Sequence, residues 1–195
     1  MSKLFYNTVL ILTVLTLSVE AQSIPGKKQF KPALLVIDIQ NAYLPYMCKE
    51  DKQFALEIIN EAIDLFRQHG YPIIRIYHTD IEGGPKPGTE PFEYPSSVKI
   101  DSNDIQIIKN YPSAFKKTDL EKILGEKGIN TLYLCGLSAV ACVLATYHTA
   151  TDLDFDVFMI KDALLSGKPE YTNLIQEIKP TVNLYSLKLM MDYAQ

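Results

Sequence analysis

Short, uninterrupted apolar runs, each ended by a polar residue and separated from the next by helical or turn-rich sequence, constrain this chain most. Ala33–Ile37 reads ALLVI and stops at Asp38. Tyr71–Tyr77 reads YPIIRIY and stops at His78, Ile105–Ile108 stops at Lys109, and Thr131–Cys135 (TLYLC) is closed by Gly136. Asp156–Ile160 is followed by Asp162, and Thr181–Ser186 supplies a sixth run. Strands that are apolar at every position are buried on both faces, which is the condition of a parallel sheet. Between them, residues Asp51–His69 place Phe54, Ile58, Ile59, Ala62, Leu65 and Phe66 at helical spacing before Gly70 and Pro72 end the helix. Thr118-Asp-Leu-Glu121 reads as a capping box for a helix ending near Gly128. Further helices are expected from about Cys142 to Asp152 and over Tyr171–Lys179. The alternation predicts a three-layer α/β/α sandwich with a mainly parallel six-stranded sheet of Rossmann-like type. One segment, Asp80–Ser97, is rich in Gly and Pro and is expected to be a long loop within this pattern, not a domain linker.

Composition narrows the class. Across 195 residues, 19 Lys+Arg stand against 23 Asp+Glu, a net charge of −4, which argues against a nucleic-acid or anionic-membrane surface. With 47% hydrophobic residues the chain has the apolar surface for a sizeable core in one domain. No G-x-G-x-x-G or Walker-type loop supports a nucleotide, so no cofactor is expected.

The first 21 residues stand apart from the domain. Lys3 precedes an uncharged, mostly apolar run from Leu4 to Leu17, and Val19 and Ala21 place small residues before Gln22. This is the layout of a secretory signal peptide over residues 1–21, implying a secreted or periplasmic protein with no membrane attachment after cleavage. The run is shorter than the roughly 20 residues a spanning helix requires. Residues 22–31 read as a flexible lead-in, and 32–195 as the domain.

In open parallel sheets, ligands bind at the carboxyl ends of strands. Asp38, His78, Lys109 and, just past the fourth run, Cys142 would therefore collect on one edge. Cys142 at a helix start would have its thiol pKa lowered by free backbone amides. From position alone it reads equally as a nucleophile or as a small core residue. Asp38 reads as a base or as a turn residue, and Lys109 alone says little. Three cysteines, Cys48, Cys135 and Cys142, are too few for a disulfide scaffold and odd in number. Cys135 belongs to the core, and Cys48 can stay free or cross-link to another chain.

LLVIDIQNAYL around Asp38, IIKNYPSAFKKTDLEKIL around Lys109 and INTLYLCGLSAVACVLATYHTA around Cys142 together resemble the isochorismatase-like cysteine hydrolase family. The resemblance runs from about Pro32 to the end of the chain. It implies an Asp38–Lys109–Cys142 triad that hydrolyses a small amide-like C–N bond through a thioester. It also implies a cis peptide at Leu137–Ser138, an oxyanion hole from the Ser138 and Cys142 amides, and a homo-oligomer of two or four chains. Tyr43, His78 and Phe115 are the substrate-contact candidates. Two alternatives stay open: hydrolysis of the vinyl ether of isochorismate, and a non-catalytic binding protein on the same fold. The metal of nicotinamidase relatives, held by an Asp-x-His pair and a second His, is not expected, because His78-Thr-Asp80 has no later His before His148.

Overall fold

The computed structural model describes residues 29–80 and 82–194. The signal-peptide reading of 1–21 and most of the lead-in of 22–31 lie outside the described residues.

Six parallel strands form one sheet in the order β3-β2-β1-β4-β5-β6. They are β1 (Pro32–Ile37), β2 (Ile73–His78), β3 (Ile105–Lys109), β4 (Thr131–Leu137), β5 (Asp156–Leu165) and β6 (Thr181–Val182). All six residues of β1 are buried. Side chains alternate across a strand, so Leu34 and Val36 face one core while Ala33, Leu35 and Ile37 face the other.

Two helix layers cover these faces. On one side α1 (Lys49–Gln68) turns Ala55, Ile59, Ala62, Ile63 and Phe66 inward, joined by Leu187 and Met191 of α5 (Leu184–Tyr193). On the other lie α2 (Leu120–Glu126), α3 (Leu144–Asp152) and α4 (Pro169–Ile178), which contribute Leu120, Leu124, Ala150 and Ile175. The architecture is the expected three-layer α/β/α sandwich.

Three local expectations are corrected. The sixth run is a strand only over Thr181–Val182, because Asn183 accepts the Ser186 amide at 2.8 Å and caps α5. The fifth strand does not stop at Ile160 but continues to Leu165 through an irregularity at Asp162, which has φ +64° and whose amide is held by Gln176 Oε1 at 2.5 Å. That extension pairs Leu164 and Leu165 with Gly136 and Leu137, backing the turn that leads to Cys142. The capping box is half formed: Thr118 Oγ1 accepts the Leu120 amide at 3.3 Å and donates to the Ala114 carbonyl, while α2 begins after Asp119.

The strand order reverses direction between β1 and β4. That crevice is where open α/β sheets bind ligands. The Gly/Pro-rich stretch after β2 is pinned to the residues following β1 by backbone bonds from Asn41 to Glu93 and from Ala42 to Pro91. Its Phe92, Tyr94 and Val98 are buried in the α1-side core, so much of this loop is structural.

Candidate active site

Asp38 is the first residue past β1. It holds φ +55° with its amide on the Ile76 carbonyl, a conformation Asp tolerates better than most residues. The neighbouring strand must come very close here, and Gly136 allows it. A Cβ at Gly136 would lie 2.1 Å from the Ile37 carbonyl oxygen, and its φ of +117° also favours glycine.

His78 and Lys109 end adjacent strands as register partners, so their side chains leave the sheet on the same face. Lys109 reaches inward, with its side chain fully buried. Its Nζ donates to Asp38 Oδ2 at 2.8 Å and contacts His78 Nδ1 at 2.9 Å. An ammonium has no lone pair to offer, so His78 Nδ1 is the acceptor and the ring proton resides on Nε2. Burial, followed by the Lys109 charge, pushes the His78 pKa down and keeps the ring neutral.

Past β4 the Leu137–Ser138 peptide is cis, as the resemblance implies. Ala139–Val143 then forms a single π-helical turn that runs into α3. The Ser138 carbonyl takes the Ala141 amide at 3.0 Å and the Val143 amide at 3.2 Å, passing over that of Cys142. Cys142 Sγ, the Asp38 carboxylate and a His78 ring nitrogen lie within 4.8 Å of one another.

The electrostatics correct one expectation. The Cys142 thiol is not lowered but pushed up to about 12, first by burial and then by the Asp38 charge, against which Lys109 acts only partly. The resting group is therefore a thiol. Asp38 is itself raised above the usual carboxylate value by burial, with Lys109 opposing. Its second oxygen, Oδ1, is buried and has no hydrogen-bond partner among the described residues. An orphaned carboxylate oxygen beside a protonated thiol is a ready proton acceptor.

A cavity of about 250 Å³ opens on these groups. Asp38, His78, Ser138 and Cys142 supply its polar wall, and Tyr43, Tyr46, Met47 and Leu137 its apolar wall. Phe115 packs in the α2-side core with its ring 6.0 Å from Phe155 and is not among the residues that line this cavity. Tyr46 and Met47 line the cavity although nothing in the apolar pattern marks them. Nor does it mark Gln40, which is fully buried and clamps the backbone of His78: Oε1 accepts the His78 amide at 2.6 Å, and Nε2 donates to the His78 carbonyl at 3.1 Å. The Tyr94 hydroxyl makes a similar tie, 2.8 Å from the Val36 carbonyl and 2.7 Å from that of Ile76. The sequence signal that could have pointed to Gln40 is a polar side chain two residues beyond a strand-ending aspartate.

All three cysteines are free. Cys135 is fully buried, its Sγ toward the Leu35 carbonyl at 3.6 Å, while the Cys48 thiol donates to Glu50 at 2.9 Å.

The donor set does not fit a resident metal ion. Asp38, His78 and Cys142 each bring a donor atom to one point. The Lys109 ammonium already engages both the carboxylate and the imidazole. A divalent cation bound by the same atoms would face that charge at close range.

With fold and geometry in view, comparison with known proteins defines the class. The model of the isochorismatase domain matches residues 32–183. The uncharacterized isochorismatase family protein YddQ of Bacillus subtilis is 32% identical over 136 residues, 67% of this chain and 76% of that protein. Among solved structures, an isochorismatase family protein from Desulfovibrio vulgaris superposes with a TM-score of 0.75 at 22% identity, covering 84% of this chain and 99% of that one. A pyrazinamidase of Pyrococcus horikoshii, solved in complex with zinc, superposes with a TM-score of 0.69 at 27% identity, covering 79% of this chain and 99% of that one. The chain belongs to the isochorismatase family of hydrolases, whose members act on small molecules.

Proposed function

We propose that this protein hydrolyses a small carboxamide-like C–N bond, with Cys142 as nucleophile, Asp38 as general base and acid, and Lys109 as the cation that holds Asp38. One observation carries the reading: a half-buried thiol lies beside a buried carboxylate whose one oxygen is held by Lys109 and whose other has no partner among the described residues. Similarity to a pyrazinamidase supports the amide class.

The chemistry follows from the protonation states. Cys142 Sγ attacks the substrate carbonyl carbon while its proton passes to Asp38. Because the thiol is not ionised beforehand, transfer and attack are coupled, and the raised pKa of Asp38 makes it a stronger base than a solvated carboxylate. The carbonyl electron pair moves onto oxygen, where the amides of Ser138 and Cys142 serve as donors. Collapse breaks the C–N bond, and the leaving amine takes the proton from Asp38. Water then attacks the thioester, giving its proton to Asp38. The acid leaves, and the sulfur is reprotonated. Lys109 keeps Asp38 oriented throughout.

Turnover of a panel of small carboxamides, ureido compounds and isochorismate, read as ammonia or amine release against pyruvate release, tests this. Amine release that disappears in Cys142→Ala, with the circular dichroism of the fold retained, is the expected result. Pyruvate release alone would overturn the amide reading.

The same proposal includes export. It rests on the signal-peptide layout of residues 1–21 and is tested by the amino-terminal sequence of the protein recovered outside the cytoplasm. No helix among the described residues is long and apolar enough to cross a membrane.

A further inference from the structure

The charge distribution around the cavity says which amides fit. Among the described residues its lining carries no free cation. Lys109, behind the lining, is fully buried, and two of its three donors engage Asp38 and His78. The negative charges are not neutralised to the same degree. Asp38 lines the cavity, and its Oδ1 has no partner among the described residues. A second carboxylate, Asp80 Oδ1, stands 3.9 Å from His78 Nε2, and its side chain is largely exposed. Both carboxylates help to raise the Tyr43 hydroxyl to about 12, after burial, so their field reaches the aromatic part of the lining. Tyr43 and Tyr46 form that part, and aromatic rings attract cations and repel anions over their faces.

We infer that this site selects uncharged or cationic one-ring carboxamides and rejects carboxylate-bearing ones, with Asp80 as a specificity-determining residue. The inference rests on the amide-hydrolase reading and adds the charge class of its substrate. A carboxylate entering here gives up its water for a cavity whose described lining holds no unpaired cation, and it lies near Asp38, so its desolvation goes uncompensated. Size points the same way: about 250 Å³ is below the usual span for drug-sized ligands and suits a single ring with a small substituent. The neutral His78, with its proton on Nε2, offers one hydrogen-bond donor to a substrate acceptor. Isochorismate, a dicarboxylate, is the wrong charge for this lining.

The test uses three matched probes: benzamide, 4-(aminomethyl)benzamide and 4-carboxybenzamide. Their kcat and KM are measured on the wild-type protein and their Kd by calorimetry on Cys142→Ala. The expected order of kcat/KM is cation and neutral above anion by about tenfold or more, carried mainly by KM. Asp80→Asn should narrow the cation-to-anion ratio about three- to tenfold, the size of one partly screened charge at short range. Asp80→Lys should narrow it further. Amine release with the anion preferred, or a ratio unmoved in both Asp80 variants, would overturn the charge inference while leaving the amide reading standing. If no probe binds or turns over and isochorismate alone is consumed, both fall.

Discussion

Lys109 and Asp38 lie 71 residues apart and form a buried ion pair at 2.8 Å, joining the end of β3 to the end of β1 across β2. His78 from β2 accepts at the same ammonium, so three adjacent strands converge on one cation. Such a pair contributes little net stability relative to apolar packing, but removing one partner strands the other charge at about 3–5 kcal/mol. Lys109→Met should therefore lose activity and lower stability by that amount in urea denaturation. The double variant Asp38→Asn/Lys109→Met should recover much of the stability and none of the activity. Equal destabilisation in the single and double variants would show that the pair is not the unit.

The pH dependence follows from directions at two groups. In the proposed mechanism Asp38 must be ionised to take the thiol proton, and its pKa is raised by burial. The acid limb of kcat/KM should then lie above the ordinary carboxylate value near 4. Activity rises with pH through that limb. The thiol, at about 12, stays protonated across the neutral range, so Cys142 ionisation contributes no alkaline limb there. Alkylation of unliganded Cys142 by iodoacetamide should be slow at neutral pH and accelerate as pH rises. Rapid alkylation at neutral pH would contradict the assignment of a resting thiol.

Gln40 acts through His78 and not on substrate. Gln40→Leu removes both partners of a strand-end backbone and should cost about 1–3 kcal/mol for the groups left unpaired. If the clamp positions His78, KM should rise with a smaller change in kcat, and Gln40→Glu, which can still accept the His78 amide at 2.6 Å, should recover part of the loss. A variant equally destabilised but with unchanged KM would mark a structural role only.

Gly136→Ala tests the close approach of β4 to β1. The added carbon would sit 2.1 Å from the Ile37 carbonyl oxygen, at a φ of +117°. One of the two strands must shift, which moves Asp38 relative to Cys142. We expect a lower melting temperature and a drop in kcat that exceeds what the loss of folded protein explains.

The parts of this molecule that were legible in the sequence are those set by local pattern. Continuous apolar runs such as ALLVI specify strands buried on both faces, and the polar residues ending them fall at one sheet edge whatever the details of the loops. The rest depends on partners far along the chain. Lys109 reads as a solvated cation until β2 and β1 bring His78 and Asp38 to it. The expected lowering of the Cys142 pKa rests on a helix start, which is visible locally, while the burial and the facing Asp38 that push it up are not. Phe115 follows Lys109 closely in sequence, yet its side chain serves the α2-side core. The sixth strand stops where Asn183 caps a helix, a signal that an apolar count over Thr181–Ser186 passes over.

Intact-protein mass spectrometry during turnover tests the central claim most directly. With a carboxamide substrate under rapid quench, the wild-type chain should gain the mass of the substrate's acyl group, and fragmentation should place it on Cys142. Asp38→Asn and Cys142→Ala should show no such adduct. Turnover that persists in Cys142→Ala at the wild-type rate, or an acyl group found on another residue, would contradict the assignment of Cys142 as the nucleophile.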